Sequence, residues 1–267
     1  MISTLQSYTA ITRDIDGALA RVASDRATKR ETAYYLSQIG QIKTLDDFMS
    51  NRRVYSFAMR AFGLEEMIPS RALIKKVLEG GIDDRRSLAN TMSDPRFREL
   101  AETFNFKRYE AATTSFGRAQ QGTVDRFMRT ALEQNAGSQN EAVRLALYFE
   151  RKAPDVTSIY GLMADRALYK VVETALGLPA GLPGAGIEKQ AKIIGDRLDL
   201  ATLKDPKGLA KFIARFATLW DIGQSATGPA SLSSSGIVGV DAGAGGPGGI
   251  SSATLASIQA LRLKRGG

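Results

Sequence analysis

The sequence contains no cysteine and no histidine among its 267 residues. These two absences exclude disulfides, thiolate nucleophiles, imidazole general bases and the zinc sites built from such ligands. The enzymatic chemistry that remains is a carboxylate-bound magnesium ion or a glycosidase-like pair of carboxylates. The sequence also lacks a run of about 18 apolar residues, so it predicts no membrane span.

Residues 1–26 lack the continuous apolar stretch of a cleaved signal peptide, and we therefore expect none. Their apolar residues instead recur every three or four positions, as on one face of an amphipathic helix. The stripe consists of Ile2, Leu5, Tyr8, Ile11, Ile15, Leu19 and Val22. Because the stripe is narrow, it predicts a helix that packs along a partner, and we interpret it as a partner-binding segment.

The net charge of +8 and the pI near 9.7 favour acidic partners. Basic and acidic residues alternate, however, in stretches such as residues 83–86 and 96–99. This interspersion is typical of solvated helix faces rather than of a nucleic-acid-binding groove.

The middle of the sequence resembles itself at an offset of 114 residues, from position 48 to position 162. Residues 48–55 (FMSNRRVY) align with residues 162–169 (LMADRALY). At the same offset Tyr34 aligns with Tyr148, and Gly63 with Gly177. We interpret this as a duplication, which predicts helical units at residues 27–106 and 140–221, joined by a connecting helical segment at residues 107–139.

Local signals predict helices throughout both units, and we find no convincing strand pattern. Thr44 is a favoured N-cap residue, and Gly63 and Gly177 tolerate the positive φ of a helix C-terminus. Asp94-Pro95 and Asp205-Pro206 each combine a cap with the residue favoured at the first helical position. The predicted fold class is therefore all-α.

The C-terminal part changes composition. Residues 222–252 are rich in glycine, serine, alanine and proline, which predicts a flexible linker. Residues 253–267 predict a short helix with Leu255, Ile258 and Leu261 on one face, a second candidate partner-binding stripe. Glycines at residues 243–248 have dinucleotide-fingerprint spacing, but the chain ends before the second strand and the acidic residue that such a site requires.

The remaining candidate sites have structural interpretations. The pairs Asp46-Asp47, Glu65-Glu66 and Asp83-Asp84 stand where caps and first-turn acids are expected, and neighbours in sequence do not share a helix face. The aligned tyrosines Tyr34, Tyr55, Tyr148 and Tyr169 are interpreted as packing residues. Arg52 and Arg166 are expected to pair with a carboxylate or carbonyl within each unit. We predict no catalytic, cofactor-binding or metal-binding residue.

Several of these segments resemble an uncharacterised alphaproteobacterial family, a domain of unknown function. They are residues 52–55 (RRVY), 61–64 (AFGL), 74–80 (IKKVLEG), 88–90 (LAN), 94–97 (DPRF), 145–151 (LALYFER) and 173–179 (ETALGLP). The resemblance covers about residues 27–220 and not the glycine-rich tail. Members of this family are commonly encoded among flagellar motor and rod genes, so the resemblance implies a flagellar role by association and brings no catalytic residue.

Three functions follow as hypotheses. The first is a non-catalytic flagellar structural or assembly protein, an axial or basal-body component that binds other flagellar proteins or copies of itself through its terminal helices. The second is a cytoplasmic adaptor or chaperone of the flagellar export or motor machinery, with a groove for partner helices. The third is a basic nucleic-acid-binding regulator. We expect no cofactor and no small-molecule substrate.

Overall fold

The computed structural model describes residues 2–179 and 184–227, and every regular element within them is a helix. The all-α prediction is confirmed. None of the helices in these residues combines the length and apolar character needed to cross a membrane. The predicted stripe of Leu255, Ile258 and Leu261 lies outside the described residues, as does the linker beyond residue 227.

Sixteen α-helices are seen in the described residues. The first eight are α1 Thr4–Arg13, α2 Ile15–Ser24, α3 Arg26–Ile39, α4 Leu45–Ser50, α5 Arg52–Ala61, α6 Arg71–Gly80, α7 Leu88–Thr91 and α8 Pro95–Thr103. The others are α9 Phe106–Tyr109, α10 Gln121–Gln139, α11 Glu141–Lys152, α12 Ile159–Ala164, α13 Arg166–Ala175, α14 Ile187–Gly195, α15 Leu200–Lys204 and α16 Pro206–Thr227. Short 3₁₀ helices occupy Glu65–Met67, Glu110–Ser115 and Ala153–Asp155.

The N-terminal segment is two helices, which corrects the prediction of one helix over residues 1–26. The break is at Asp14, whose φ of −136° and ψ of 63° are not helical. Its carboxylate accepts a hydrogen bond from the Gly17 amide at 3.0 Å, so the side chain caps α2 rather than continuing α1. As a result α1 packs on α11 and α16, whereas α2 packs on α10 and α3.

The first of two main cores combines aromatic and aliphatic side chains of α3–α10. Phe48 is fully buried, and its ring lies 4.8 Å from Phe104 and 5.9 Å from Phe106, between centroids. Phe57 stacks between Tyr35 at 4.4 Å and Phe127 at 4.2 Å. Because Phe127 belongs to α10, the connecting segment completes this core.

The second core is mainly aliphatic and lies among α11, α12, α13 and α16. Leu162 of α12 is fully buried there. Phe149 of α11 stacks on Phe212 of α16 at 5.5 Å. The chain continues as a helix through Thr227, so the predicted linker does not begin at Ile222. Apolar residues become less regular near the end of α16, so the sequence pattern predicted that this helix ends before residue 222.

Matched elements recur at the predicted offset. The bounds of α4 and α5 are those of α12 and α13 shifted by 114 positions, and both α8 and α16 begin at the proline of an Asp-Pro pair. Gly63 and Gly177 have φ of 68° and 59°, and the following leucine amide bonds a carbonyl five residues back in each case. The duplication itself stays a prediction.

Candidate functional site

The predicted N-terminal stripe lies mainly against the protein's own helices. Leu5, Tyr8 and Ile11 pack on the second core, and Ile15 and Leu19 pack with Val22 and Leu132 in a small third cluster. Ile2 alone of the stripe is largely exposed, at 75%. In this chain the stripe therefore has an intramolecular partner, and it is not an open docking face.

Thr4 attaches α1 to α16. Its backbone amide donates to one carboxylate oxygen of Asp221 at 2.9 Å, and its hydroxyl donates to the other. The Asn140 side-chain amide in turn donates to the Thr4 hydroxyl oxygen at 2.9 Å. Ile222, the residue after Asp221, is 59% exposed. The exposed apolar side chains of Ile2 and Ile222 thus flank one partly buried polar contact.

A charged cleft of about 960 Å³ lies between the two predicted units. Its charged lining residues are Glu65, Glu66, Asp94, Arg96, Glu99, Arg126, Glu133, Glu141, Arg144, Arg151, Lys152, Asp165, Arg166, Lys170 and Glu173. Most of these side chains pair with one another. Glu99 of α8 accepts from Arg126 of α10 at 3.1 Å and also from Lys152 of α11, so one carboxylate joins three helices.

Glu133 is the most buried carboxylate of the cleft, with a side chain 5% exposed. Its two oxygens accept from Nε and Nη2 of Arg151 at 2.8 and 2.9 Å, the two-bond geometry that suits a guanidinium and a carboxylate. Arg129 lies 3.7 Å away and also pairs with Glu150. Burial alone lowers the pKa of Arg151, but the hydrogen bond and charge of Glu133 outweigh it and raise that pKa.

The aligned tyrosines Tyr34 and Tyr148 each contact an N-cap residue. Tyr148 donates to Asp165 at 2.6 Å, and the other oxygen of Asp165 caps α13. Tyr34 donates to Asn51, the cap of α5, at 3.5 Å. Both rings also lie under a guanidinium. The carbon of Arg53 is 3.6 Å from the Tyr34 centroid, and that of Arg151 is 5.2 Å from the Tyr148 centroid. This supports the packing role predicted for these two rings.

The aligned arginines differ from expectation. Arg52 and Arg166 occupy the first positions of α5 and α13, where their side chains are exposed. Neither has an ion pair or a side-chain hydrogen bond within residues 2–179 and 184–227, which corrects the prediction that they pair with a carboxylate or carbonyl inside each unit. A side chain at the first turn of a helix points toward the preceding chain and solvent, and in unit one Arg53 takes the ion pair with Glu31 instead.

Acids of all three carboxylate pairs are bound by neighbouring groups in the structure. Asp47 forms a capping box with Thr44, and these hydrogen bonds lower the pKa of its carboxyl group. Asp46 pairs with Lys75, Glu65 with Arg60, Glu66 with Arg96, and Asp83 with Arg108. The described part of the chain has no group of three or more acids placed to hold a metal ion. Sequence reasoning missed Glu133, because its partners lie four and 18 positions away and no motif marks them.

The described residues form an all-α protein with two helical cores and a cleft of mutually paired charges. Residues 61–209 match the family described as "Protein of unknown function (DUF1217)", and the chain belongs to this family. It is similar to the crystal structure of an Agrobacterium tumefaciens protein solved as a structural-genomics target. The two are 39% identical with a TM-score of 0.78, over 84% of this chain and 97% of that one. No protein of curated function matches the sequence.

Alkaline pH should destabilise the fold through its tyrosines. Burial raises the pKa of Tyr8, Tyr35 and Tyr148, so the unfolded chain releases these protons first as the pH rises. Their contribution to the free energy of unfolding is complete below the unfolded pKa of about 10. Above that pH it is lost, by about 1.4 kcal/mol per pH unit for each tyrosine. Urea unfolding between about pH 10 and 12 measures this slope. Tyr148→Phe should reduce this slope by the share of one tyrosine. An unchanged slope would contradict the role assigned to Tyr148.

Proposed function

We propose that the protein is a non-catalytic, flagellum-associated structural or assembly protein that acts by binding other proteins. The observation that supports a scaffold is the ion-paired cleft, in which Glu99 and Glu133 are each bound by cations of neighbouring helices. Carboxylates held in this way join helices to one another and are poorly placed to exchange protons with a substrate. The flagellar part of the proposal rests on the family resemblance across residues 27–220.

The binding surfaces in this proposal are at the two ends of the chain. Thr4 and Asp221 bring the first helix and the last described helix together, and Ile2 and Ile222 expose apolar side chains beside that contact. We propose that partner subunits, other flagellar proteins or further copies of the chain, cover these side chains. Leu255, Ile258 and Leu261 belong to the same proposal through their sequence pattern.

A second candidate function is a cytoplasmic adaptor or chaperone of the flagellar export or motor machinery. A groove of about 620 Å³ favours it, because its lining includes Tyr160, Met163, Ile187 and Ala185. Tyr160 and Ile187 are each about half exposed. An apolar groove of this kind suits the apolar face of a partner helix.

Cell fractionation separates the two candidates. Purified hook–basal bodies should contain the protein if it is a structural component, and deletion of its gene should impair motility. An I2D/I222D double variant should leave the fold intact, because both side chains are exposed, but should reduce recovery with basal bodies. A cytosolic protein that co-purifies with export or switch components would favour the adaptor. Absence from both fractions together with normal motility after deletion would reject a flagellar role.

A further inference from the structure

We propose that the end of α9 and the segment after it carry a docking surface for an acidic segment of a partner protein. The surface is a group of four side chains, which we name the arginine–aromatic cluster: Arg108, Tyr109, Phe116 and Arg118. It lies in the connecting segment of residues 107–139, apart from the charged cleft, whose lining contains none of these residues.

The four side chains form one stack. Tyr109 and Phe116 meet edge to face with centroids 4.9 Å apart. The guanidinium carbon of Arg118 lies 4.9 Å from the Tyr109 centroid and 4.7 Å from the Phe116 centroid, and that of Arg108 lies 5.4 Å from Tyr109. Phe116 is nevertheless 37% exposed. The stack thus presents a cation and an aromatic surface to solvent together.

Hydrogen bonds to buried groups hold the segment that carries the arginine–aromatic cluster. Thr114 is fully buried, and its hydroxyl donates to the Ile42 carbonyl at 2.7 Å. The Gln120 side-chain amide donates to the Thr114 carbonyl at 2.9 Å, and the buried Tyr35 hydroxyl donates to the Ala119 carbonyl. An exposed segment held by buried hydrogen bonds loses little conformational entropy when a partner binds.

The backbone is also held in an unusual conformation at Glu110. This residue ends α9 with φ of 45° and ψ of −127°, the one positive φ among the non-glycine residues that the structure describes. Side chains other than glycine are strained in this region, and they persist there only when the surrounding structure fixes the backbone. The turn separates Tyr109 from the 3₁₀ helix and lets the chain return to place Phe116 on its ring.

The charges of the cluster select an acidic occupant. Arg108 is neutralised by Asp83 at 3.1 Å. Arg118 has no carboxylate partner within the part of the chain that the structure describes, and its contacts are with the two ring faces. The Arg118 side chain is exposed, and its guanidinium carries paired N–H donors that match the two oxygens of a carboxylate. A carboxylate that binds Arg118 brings an adjacent apolar side chain to Phe116.

This geometry favours a protein segment over a nucleic acid. Binding to a nucleic-acid backbone requires several unpaired cations that follow successive phosphates. Among the described residues the cluster offers one guanidinium without an ion pair, since Arg108 is already paired with Asp83. The guanidinium of Arg118 and the exposed ring of Phe116 instead match an acidic residue next to an apolar one. The net charge of +8 attracts such a partner over a longer range.

The inference deepens the proposed function, since it names a partner chemistry, and it rests on the protein-binding part of that proposal. It does not depend on the flagellar location. Failure of the experiment below leaves the basal-body fractionation unaffected, and absence from basal bodies leaves this binding result unaffected.

The test uses the full chain with N-acetyl-aspartyl-phenylalanine amide as the probe, followed by NMR of the arginine Nε–Hε signals. We expect saturable shifts that are largest for Arg118 and that map to the cluster. Arg118→Gln, followed through the Arg108 signal, should weaken binding about tenfold, because a charged two-bond contact is lost. Phe116→Ala should weaken it severalfold. Arg98→Gln is the matched control, because Arg98 is an exposed arginine of α8 outside the cluster without an ion pair among the described residues, and this variant should bind as wild type does.

Two further probes complete the test. N-acetyl-lysyl-phenylalanine amide should give no saturable shift at Arg118, and a short oligothymidylate should bind more weakly than the acidic probe. Equal binding of the lysyl and aspartyl probes would overturn the assignment of an acidic partner. Tighter binding of the oligonucleotide, lost in Arg118→Gln, would instead assign the surface to nucleic acid. Absence of any saturable shift at the cluster would reject the docking surface.

Discussion

Replacing Glu133→Ala is expected to lower the free energy of unfolding by about 3 kcal/mol, because it removes the partner of a buried cation. Glu133 is 5% exposed and binds Arg151 through both oxygens, at 2.8 and 2.9 Å. Without it, Arg151 and Arg129 keep their charge in a region that water reaches poorly. Their side chains are 26% and 20% exposed, which holds the expected loss at the lower end of the usual range.

The measurement is urea unfolding followed by circular dichroism, with Glu141→Ala as the matched control. Glu141 also pairs with an arginine, Arg144, but its side chain is half exposed, and such pairs contribute about 0–1 kcal/mol. A double variant, Glu133→Leu with Arg151→Leu, should recover part of the loss, because it removes both charges. If Glu133→Ala and Glu141→Ala cost the same, the buried pair does not have the stabilising role assigned to it.

The ion pairs of Glu133 matter for the proposed scaffold because they connect helices. Glu133 and Arg129 belong to α10, and Arg151 and Glu150 belong to α11, so this pairing orients the connecting helix against the second unit. Glu99 extends the same network to α8 of the first unit. Ion pairs of this kind fix the geometry of helices even where they add little net stability, which is a reasonable requirement for a protein that positions other proteins.

The elements that could be predicted from the sequence are those specified by local chemistry. The Asp-Pro pairs at Asp94 and Asp205 begin α8 and α16, and Gly63 and Gly177 take the positive φ that ends α5 and α13. Each signal depends on residues within one or two turns, so it can be recognised without knowledge of the fold.

What the sequence left undetermined depends on partners distant in the chain. The stripe from Leu5 to Leu19 identified an apolar face but not its cover, which proved to be helices α10, α11 and α16 of the same chain. Asp14 divides that stripe through a side-chain cap that apolar periodicity does not register. The stacking of Arg118 on Tyr109 and Phe116 likewise requires the turn at Glu110, and a strained conformation at a glutamate has no sequence signature.

The largest effect of a single core substitution is expected for Phe48→Ala, about 3–5 kcal/mol, because it empties a fully buried position bordered by three other aromatic rings. The aligned residue in the second core is Leu162, and Leu162→Ala should cost about 2–5 kcal/mol. Urea unfolding measures both losses.

Hydrogen exchange shows which helices each of the two variants destabilises. Phe48→Ala should accelerate exchange mainly in α4–α8, and Leu162→Ala mainly in α11–α13, because each side chain packs within a different core. If either variant accelerated exchange equally in both sets of helices, the two cores would open as one cooperative unit. The ion pairs of Glu99 and Glu133 would then couple the cores more strongly than their separate packing implies, and combining Phe48→Ala with Glu133→Ala should confine the faster exchange to the first core again.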